Sequence, residues 1–266
     1  MSTPERAPDP APPAEPPELS AVLPCHEEAE NLADTLDAVL AGAAAAGVRT
    51  LEVVLVCTDR ARDGTPALAR ARAARDPRVR VVTQGRVPAG YGGAVRLGLA
   101  AARAPWVLLC DADGQLDPRE LPRLWSLHGS QTAVFGVRTP RRDSGARRLA
   151  ARAYRAAATL ALAGLAVPVD PDCALKLLPR APLVAARLRA TSGAVNLELV
   201  AALARRGVGW VEVPVTHRPR RAGTPRFELE RGPFAGLPRP SAALELLGDV
   251  VRLAGRRLVA RARGHA

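Results

Sequence analysis

From Leu19 onward the chain alternates short apolar runs with longer stretches in which apolar residues recur every three or four positions. The first kind reads as buried strand and the second as amphipathic helix. The pattern predicts strands over 19–23, 51–56 and 79–83, and a fourth that begins at Trp106 and ends at Asp111. Helices are predicted over 28–46, 65–75, 92–103 and 118–127. Strand and helix alternating at this spacing indicate an α/β fold with a mostly parallel central sheet flanked by helices. In open sheets of this kind ligands bind beyond the carboxyl ends of the strands. Residues 24–28, 57–63 and 111–115 fall at three such ends, so three polar segments should converge on one crevice.

The second half is less regular. It predicts a strand over 132–137, an Arg-rich turn over 138–142, a helix over 146–165 and an extended stretch over 170–178. A helix over 194–206, a strand over 208–216 and a basic loop over 217–226 follow. Residues 241–263 place Leu244, Leu247, Val251, Ala254 and Leu258 on one helical stripe, with Arg252, Arg256, Arg257 and Arg261 elsewhere. Such a basic amphipathic helix fits an anionic membrane surface or packing on the domain core. Residues 1–18 are rich in Pro and lack apolar anchors, so a disordered tail is expected there. The expected organisation is therefore this tail, one domain over 19–226 and a basic C-terminal tail over 227–266.

Composition narrows the function. Only 3% of the 266 residues are aromatic, too few for the stacking platforms that bind single-stranded nucleic acid. The net charge of +12, from 38 basic and 26 acidic residues, fits phosphate-rich partners such as an anionic membrane or a phosphorylated substrate. Cys25, Cys57, Cys110 and Cys173 show no CxxC spacing, which argues against zinc and for reduced, buried thiols in a cytoplasmic protein. No signal-peptide pattern is visible at the start of the sequence. No segment reaches the roughly 20 apolar residues that span a bilayer. The expectation is a cytoplasmic protein, peripheral on the membrane.

The segment Trp106-Val107-Leu108-Leu109-Cys110-Asp111-Ala112-Asp113-Gly114-Gln115 carries the most chemistry. In an extended backbone, side chains two apart share a face, so Asp111, Asp113 and Gln115 could present oxygens to one point. Oxygen ligands suit Mg²⁺ or Mn²⁺, and Mg²⁺ typically takes one or two carboxylates and leaves its other positions to water and phosphates. The same residues also fit a polar turn in which Asp117 caps the helix that Pro118 begins.

Five segments in order resemble the family 2 glycosyltransferases, in particular their polyprenyl-phosphate, dolichol-phosphate mannose synthase-like branch. They are Val22–Leu32 (VLPCHEEAENL), Gly90–Leu99 (GYGGAVRLGL), Asp111–Pro118 (DADGQLDP), Asp172–Leu177 (DCALKL) and Val211–Arg220 (VEVPVTHRPR). The resemblance implies a GT-A-type nucleotide-sugar-binding fold, a GDP- or UDP-sugar donor, a divalent metal and inversion at the anomeric carbon. On that analogy Pro24, His26, Glu28, Asp59, Asp111 and Ala112 would bind the nucleotide. Asp111, Asp113 and Gln115 would hold the metal, and Arg138 and Arg147 would grip the phosphate of a polyprenyl phosphate acceptor. Thr58 stands where an Asp is usual, and Tyr91 where a basic residue is frequent.

A phosphate monoester is mostly dianionic at neutral pH, its second pKa being about 6, so it needs cations to position it more than a base to activate it. A hydroxyl acceptor would need a carboxylate base, for which Glu198 or Asp170 would serve. The arginines could instead form a solvated basic face on a catalytically silent binding protein of the same fold. A dinucleotide-dependent oxidoreductase is disfavoured, because Gly90-Tyr91-Gly92-Gly93 lacks the full fingerprint and its acidic partner.

Overall fold

The computed structural model describes residues 15–87, 89–129, 131–139, 152, 155–162, 165–220 and 239–262. Its strands are β1 (Leu19–Cys25), β2 (Leu51–Thr58), β3 (Val79–Gln84), β4 (Trp106–Leu109), β5 (Thr132–Thr139), β6 (Lys176–Pro179) and β7 (Gly209–Thr216). Its helices are α1 (Ala29–Ala45), α2 (Thr65–Arg75), α3 (Gly90–Ala101), α4 (Leu121–Trp125), α5 (Arg180–Ala185), α6 (Val195–Ala204) and α7 (Pro240–Ala262). The strands form one sheet in the order β3-β2-β1-β4-β6-β5-β7. Within it β6 runs antiparallel to both of its neighbours, and every other pairing is parallel.

Alternation along the strands sorts the core into two layers. Val22, Val54 and Val56 face one side, with α3, α6 and residues Val250 and Leu253 of α7. Ala21, Leu23, Val53 and Leu55 face the other, with α1 and α4. A strand buried on both faces reads as a near-continuous apolar run, as β1 does apart from Ser20 and β2 apart from Glu52 and Thr58.

Four local expectations are corrected. The fourth strand ends at Leu109 instead of Asp111, because the backbone leaves the sheet to form the turn that carries the carboxylates. The helix after Asp117 opens as a 3₁₀ turn over Pro118–Glu120 before α4, and Asp117 caps it by accepting from Arg119 N at 3.0 Å. The expected extended stretch over 170–178 is strand only from Lys176; upstream, Cys173 N donates to Asp170 O in a tight turn. Helix α5 is not among the expected elements; Pro179 stands at its N-cap and Pro182 in its first turn, positions where Pro is tolerated. Of the helix expected over 146–165, residues 155–161 are helical, while 140–151 lie outside the described residues.

Glu52 on β2 ties the far end of the sheet together. Its carboxylate is 2% exposed and accepts from Ser20 Oγ, from Arg103 N and Nε, and from Arg80 Nη1. Burial alone would raise its pKa, but the bonds from Ser20 and Arg103 outweigh that and hold it below the usual carboxylate value. A depressed folded pKa contributes stability above the unfolded pKa, which is lost as pH falls through the folded one. Glu52→Gln is therefore expected to cost about 2 kcal/mol at pH 7, moderated by the partial exposure of both arginines. Urea unfolding should show the gap between wild type and variant closing below pH 4; a gap independent of pH would contradict this.

Candidate functional site

A crevice of about 430 Å³ opens beyond the carboxyl ends of the parallel strands. It is lined by residues 24–28 after β1, the turn after β4, the start of α3, Gln84, Arg138, Arg220 and Arg239. Two of the three anticipated segments meet there. The third, 57–63, supports the crevice from behind. Asp63 accepts from Ala29 N at 2.9 Å, and Thr65 Oγ1 accepts from Glu28 N at 2.8 Å, fixing the entry to α1. Asp59 is exposed, lies 3.8 Å from Arg60 Nε and is not among the lining residues.

The turn after β4 is built by Gly114, whose φ of 71° lies in the left-handed region. Asp113 Oδ1 accepts from Gln115 N at 3.0 Å, closing the turn on its own side chain. Asp111, Asp113 and Gln115 thus do not ride on one extended strand, yet the turn brings all three to the crevice. Asp113 is 8% exposed. Asp111 Oδ1 is out of reach of solvent and has no hydrogen-bond partner among the described residues. Burial, and then the neighbouring charge of Asp113, push the Asp111 carboxyl up to about 7, while Lys176 and the neighbouring Tyr91 pull the other way. Acids held close together in a poorly hydrated space call for a cation.

Arg220 supplies one. Its Nη2 lies 3.1 Å from Glu28 Oε1 and 3.1 Å from Asp113 Oδ2. It reaches them because the chain after β7 is stapled to the carboxylate turn. Arg218 N donates to Gln115 O at 2.8 Å, and Arg218 Nη2 sits 2.8 Å from Asp117 Oδ2. Glu28 also accepts from Asn31 Nδ2 at 2.9 Å, and burial raises its pKa.

Arg138, at the end of β5, forms a bidentate pair with Asp170, Nε and Nη2 each lying 2.7 Å from a carboxylate oxygen. Of the five N–H donors of a guanidinium, two are used in this way. Arg147 lies outside the described residues. Glu198 is buried and bound to the amides of Arg189 and Ala190 and to Arg256, and it does not line the crevice.

The donor set is one of oxygens. Among the described residues no cluster of three or more His, Cys, Asp or Glu could hold a metal by itself. Two carboxylates with an adjacent amide, one oxygen being buried and unpartnered, fit a hard divalent ion whose remaining positions go to phosphate and water. Pro24, His26, Glu28 and Ala112 line the same crevice, where a nucleotide could lie beside that ion. Sequence reasoning did not single out Tyr91, Gln84, Arg220 or Arg239 as site residues. Arg220 ends one of the family-like segments and Tyr91 is the second residue of another, but no spacing rule reports a contact made across the fold.

Residues 20–174 match the model of glycosyl transferase family 2. An uncharacterized glycosyltransferase of Mycobacterium tuberculosis is 36% identical over 123 residues, 46% of this chain and 49% of that protein. This chain thus spans about half the length of the curated relatives that it first matches. An undecaprenyl-phosphate 4-deoxy-4-formamido-L-arabinose transferase of Edwardsiella ictaluri is 29% identical over 250 residues, 89% of this chain and 73% of that protein. Among solved structures, glucosyl-3-phosphoglycerate synthase from M. tuberculosis, in complex with Mn²⁺, UDP-glucose and phosphoglyceric acid, superposes with a TM-score of 0.61 at 21% identity. That match covers 90% of this chain and 80% of the other. Mannosyl-3-phosphoglycerate synthase from Rubrobacter xylanophilus gives 0.60 at 20% identity, over 93% and 75%. The sheet is thus that of the GT-A fold, and with more than half of its length matched, the chain belongs to glycosyl transferase family 2.

Proposed function

We propose that the chain is a metal-dependent inverting glycosyltransferase that moves a sugar from a GDP- or UDP-sugar to a polyprenyl phosphate. The observation that carries this reading is the Asp111–Asp113 pair at the mouth of the parallel sheet, with one oxygen buried and unpartnered, across a crevice that Arg138 also lines. The likeness to the arabinose transferase over most of the chain favours a lipid phosphate acceptor. So does the engagement of Glu198 and Asp170, which ties up both carboxylates that a hydroxyl acceptor would need as base.

Asp111 and Asp113, with Gln115, would hold Mg²⁺ or Mn²⁺, whose contribution is to neutralise charge on the departing diphosphate. Pro24, His26, Glu28 and Ala112 line the space for base and ribose. Arg138 presents its remaining donors to the acceptor phosphate while Asp170 fixes its plane. A phosphate oxygen of the acceptor forms the new bond to the anomeric carbon, and the nucleoside diphosphate leaves from the opposite face with the bonding pair. No proton has to be removed, so positioning carries the catalysis.

Helix α7 supports a peripheral place on an anionic bilayer. Val250 and Leu253 face the core, whereas Leu244, Leu247 and Val251 are 69%, 56% and 60% exposed. No described helix is long and apolar enough to cross a membrane.

Four outcomes test the proposal. UDP or GDP should raise the Tm only with Mn²⁺, and Asp113→Asn should abolish that shift and cut turnover below about a tenth. Arg138→Ala should lower transfer to polyprenyl phosphate by about 100-fold with nucleotide affinity nearly unchanged; efficient transfer to a hydroxyl acceptor, and none to the lipid phosphate, would contradict the reading. Arg220→Ala should bind Mn²⁺ about tenfold more tightly in the absence of nucleotide, because a competing charge is removed; electron paramagnetic resonance titration showing equal or weaker binding would contradict the counter-ion role. Sedimentation with anionic liposomes should fall with salt and on Leu244→Glu with Leu247→Glu, since each arginine near such a surface contributes about 1 kcal/mol; sedimentation indifferent to both would exclude the surface.

A further inference from the structure

Four consecutive backbone amides, those of residues 189–192, are held by two buried carboxylates. Glu198 Oε2 accepts from Arg189 N at 2.6 Å and from Ala190 N at 2.9 Å. Asp249 Oδ2 accepts from Thr191 N and Ser192 N, both at 3.0 Å, and from Ser192 Oγ at 2.8 Å. Both carboxylates are paired in turn with arginines of α7: Asp249 Oδ1 with Arg252 Nη2 at 2.5 Å, and Glu198 with Arg256. Asp249 is 5% exposed although it sits on the terminal helix, and Glu245, one turn earlier, accepts from Thr191 Oγ1 at 2.9 Å.

The other edge of this segment presses on the first turn of α3. Gly92 N donates to Thr191 O at 2.9 Å. A Cβ on Gly90 would lie 2.3 Å from Thr191 O, and one on Gly92 would lie 2.4 Å from Ala190 O. Only glycine allows the two backbones to come so close. Between these two glycines stands Tyr91, which lines the crevice together with Asp111. The contacts therefore run without a break from α7 through residues 189–192 and the Gly90–Gly92 turn to the crevice.

We propose that α7 is part of the catalytic unit and that Asp249 is a positioning residue. It fixes residues 189–192 against the start of α3 and so holds Tyr91 beside Asp111. The effect on nucleotide binding rests on the glycosyl-transfer reading above, whereas the mechanical coupling does not. Asp249 lies well beyond the segment that matches the family model, 20–174, so this chain completes its site with a residue outside that segment. Groups that support a metal ligand from outside the coordination shell typically matter by 10- to 100-fold in affinity.

The test compares Asp249→Ala, Asp249→Asn and Arg252→Ala by amide hydrogen exchange and by Mn²⁺-dependent binding of UDP and GDP. Asp249→Ala should speed exchange at Gly92 and weaken the nucleotide that binds by about tenfold. Asp249→Asn should restore both, because all three bonds from the loop go to one oxygen, which an amide oxygen can replace. Arg252→Ala should change neither, its side chain being 64% exposed. Adding Tyr91→Phe to Asp249→Ala should bring little further loss, since both act on Asp111. If Asp249→Ala does not fold, Ser192→Ala decides, with about threefold weaker binding expected from losing one of the three bonds. Unchanged exchange at Gly92 in Asp249→Ala, or in Ser192→Ala if that variant has to stand in, overturns the coupling. A wild-type chain that binds no nucleotide with Mn²⁺ removes the glycosyl-transfer reading and leaves the exchange result to judge the coupling.

Discussion

Three carboxylates, those of Glu28, Asp111 and Asp113, meet at one end of a parallel sheet where little water reaches them. Like charges in such a space raise one another's pKa or recruit a cation. Both responses are present. The Asp111 carboxyl is pushed up to about 7, and Arg220 is drawn across the crevice to Glu28 and Asp113. Much of the surrounding architecture follows from containing that charge. Lys176 lies fully buried behind the turn and donates to Asn196 at 3.0 Å, while Asn196 in turn reaches Asp172. A buried lysine in the middle of a sheet is expensive unless acids surround it. Asp172, Asp111 from the crevice and Asp170 are the acids that surround it.

Much of the fold was legible because the parallel half of the sheet is buried on both faces. Apolar strands such as Val53–Val56 and amphipathic helices such as α1 announce themselves by period. The element class near the site was therefore right even where the boundary was not. The strand before Asp111 stops two residues short because Gly114 and the Asx turn at Asp113 set the backbone, and periodicity does not report turn geometry. The antiparallel insertion at β6 was blurred for a related reason. Its flanks are governed by the Arg138–Asp170 pair and by prolines at positions 179 and 182, not by an apolar repeat.

Individual site residues divide along the same line. Pro24, His26, Glu28, Asp111, Asp113 and Gln115 sit within a few positions of a strand end, and sheet topology brings them to the crevice. Asp59 also follows a strand end but points past the rim, because its backbone is bound to Gln84 O and its side chain lies near Arg60. Arg220 lies in a basic loop that the sequence makes conspicuous, but its partners Glu28 and Asp113, like those of Asp249, are far away in sequence, and no local pattern reports such contacts. Helix α7 was ambiguous for a physical reason. It carries one apolar face for the core and a second, Leu244, Leu247 and Val251, that the fold leaves exposed.

The central claim is that the Asp111–Asp113 turn is a site for a divalent cation and a nucleotide diphosphate. Anomalous diffraction from crystals grown with Mn²⁺ and the nucleotide that stabilises the chain tests it most directly. A manganese peak is expected within bonding distance of Asp111 or Asp113, with the diphosphate on its open side and Arg220 moved off Asp113. A nucleotide bound with no manganese at that turn, or manganese found only elsewhere, would contradict it.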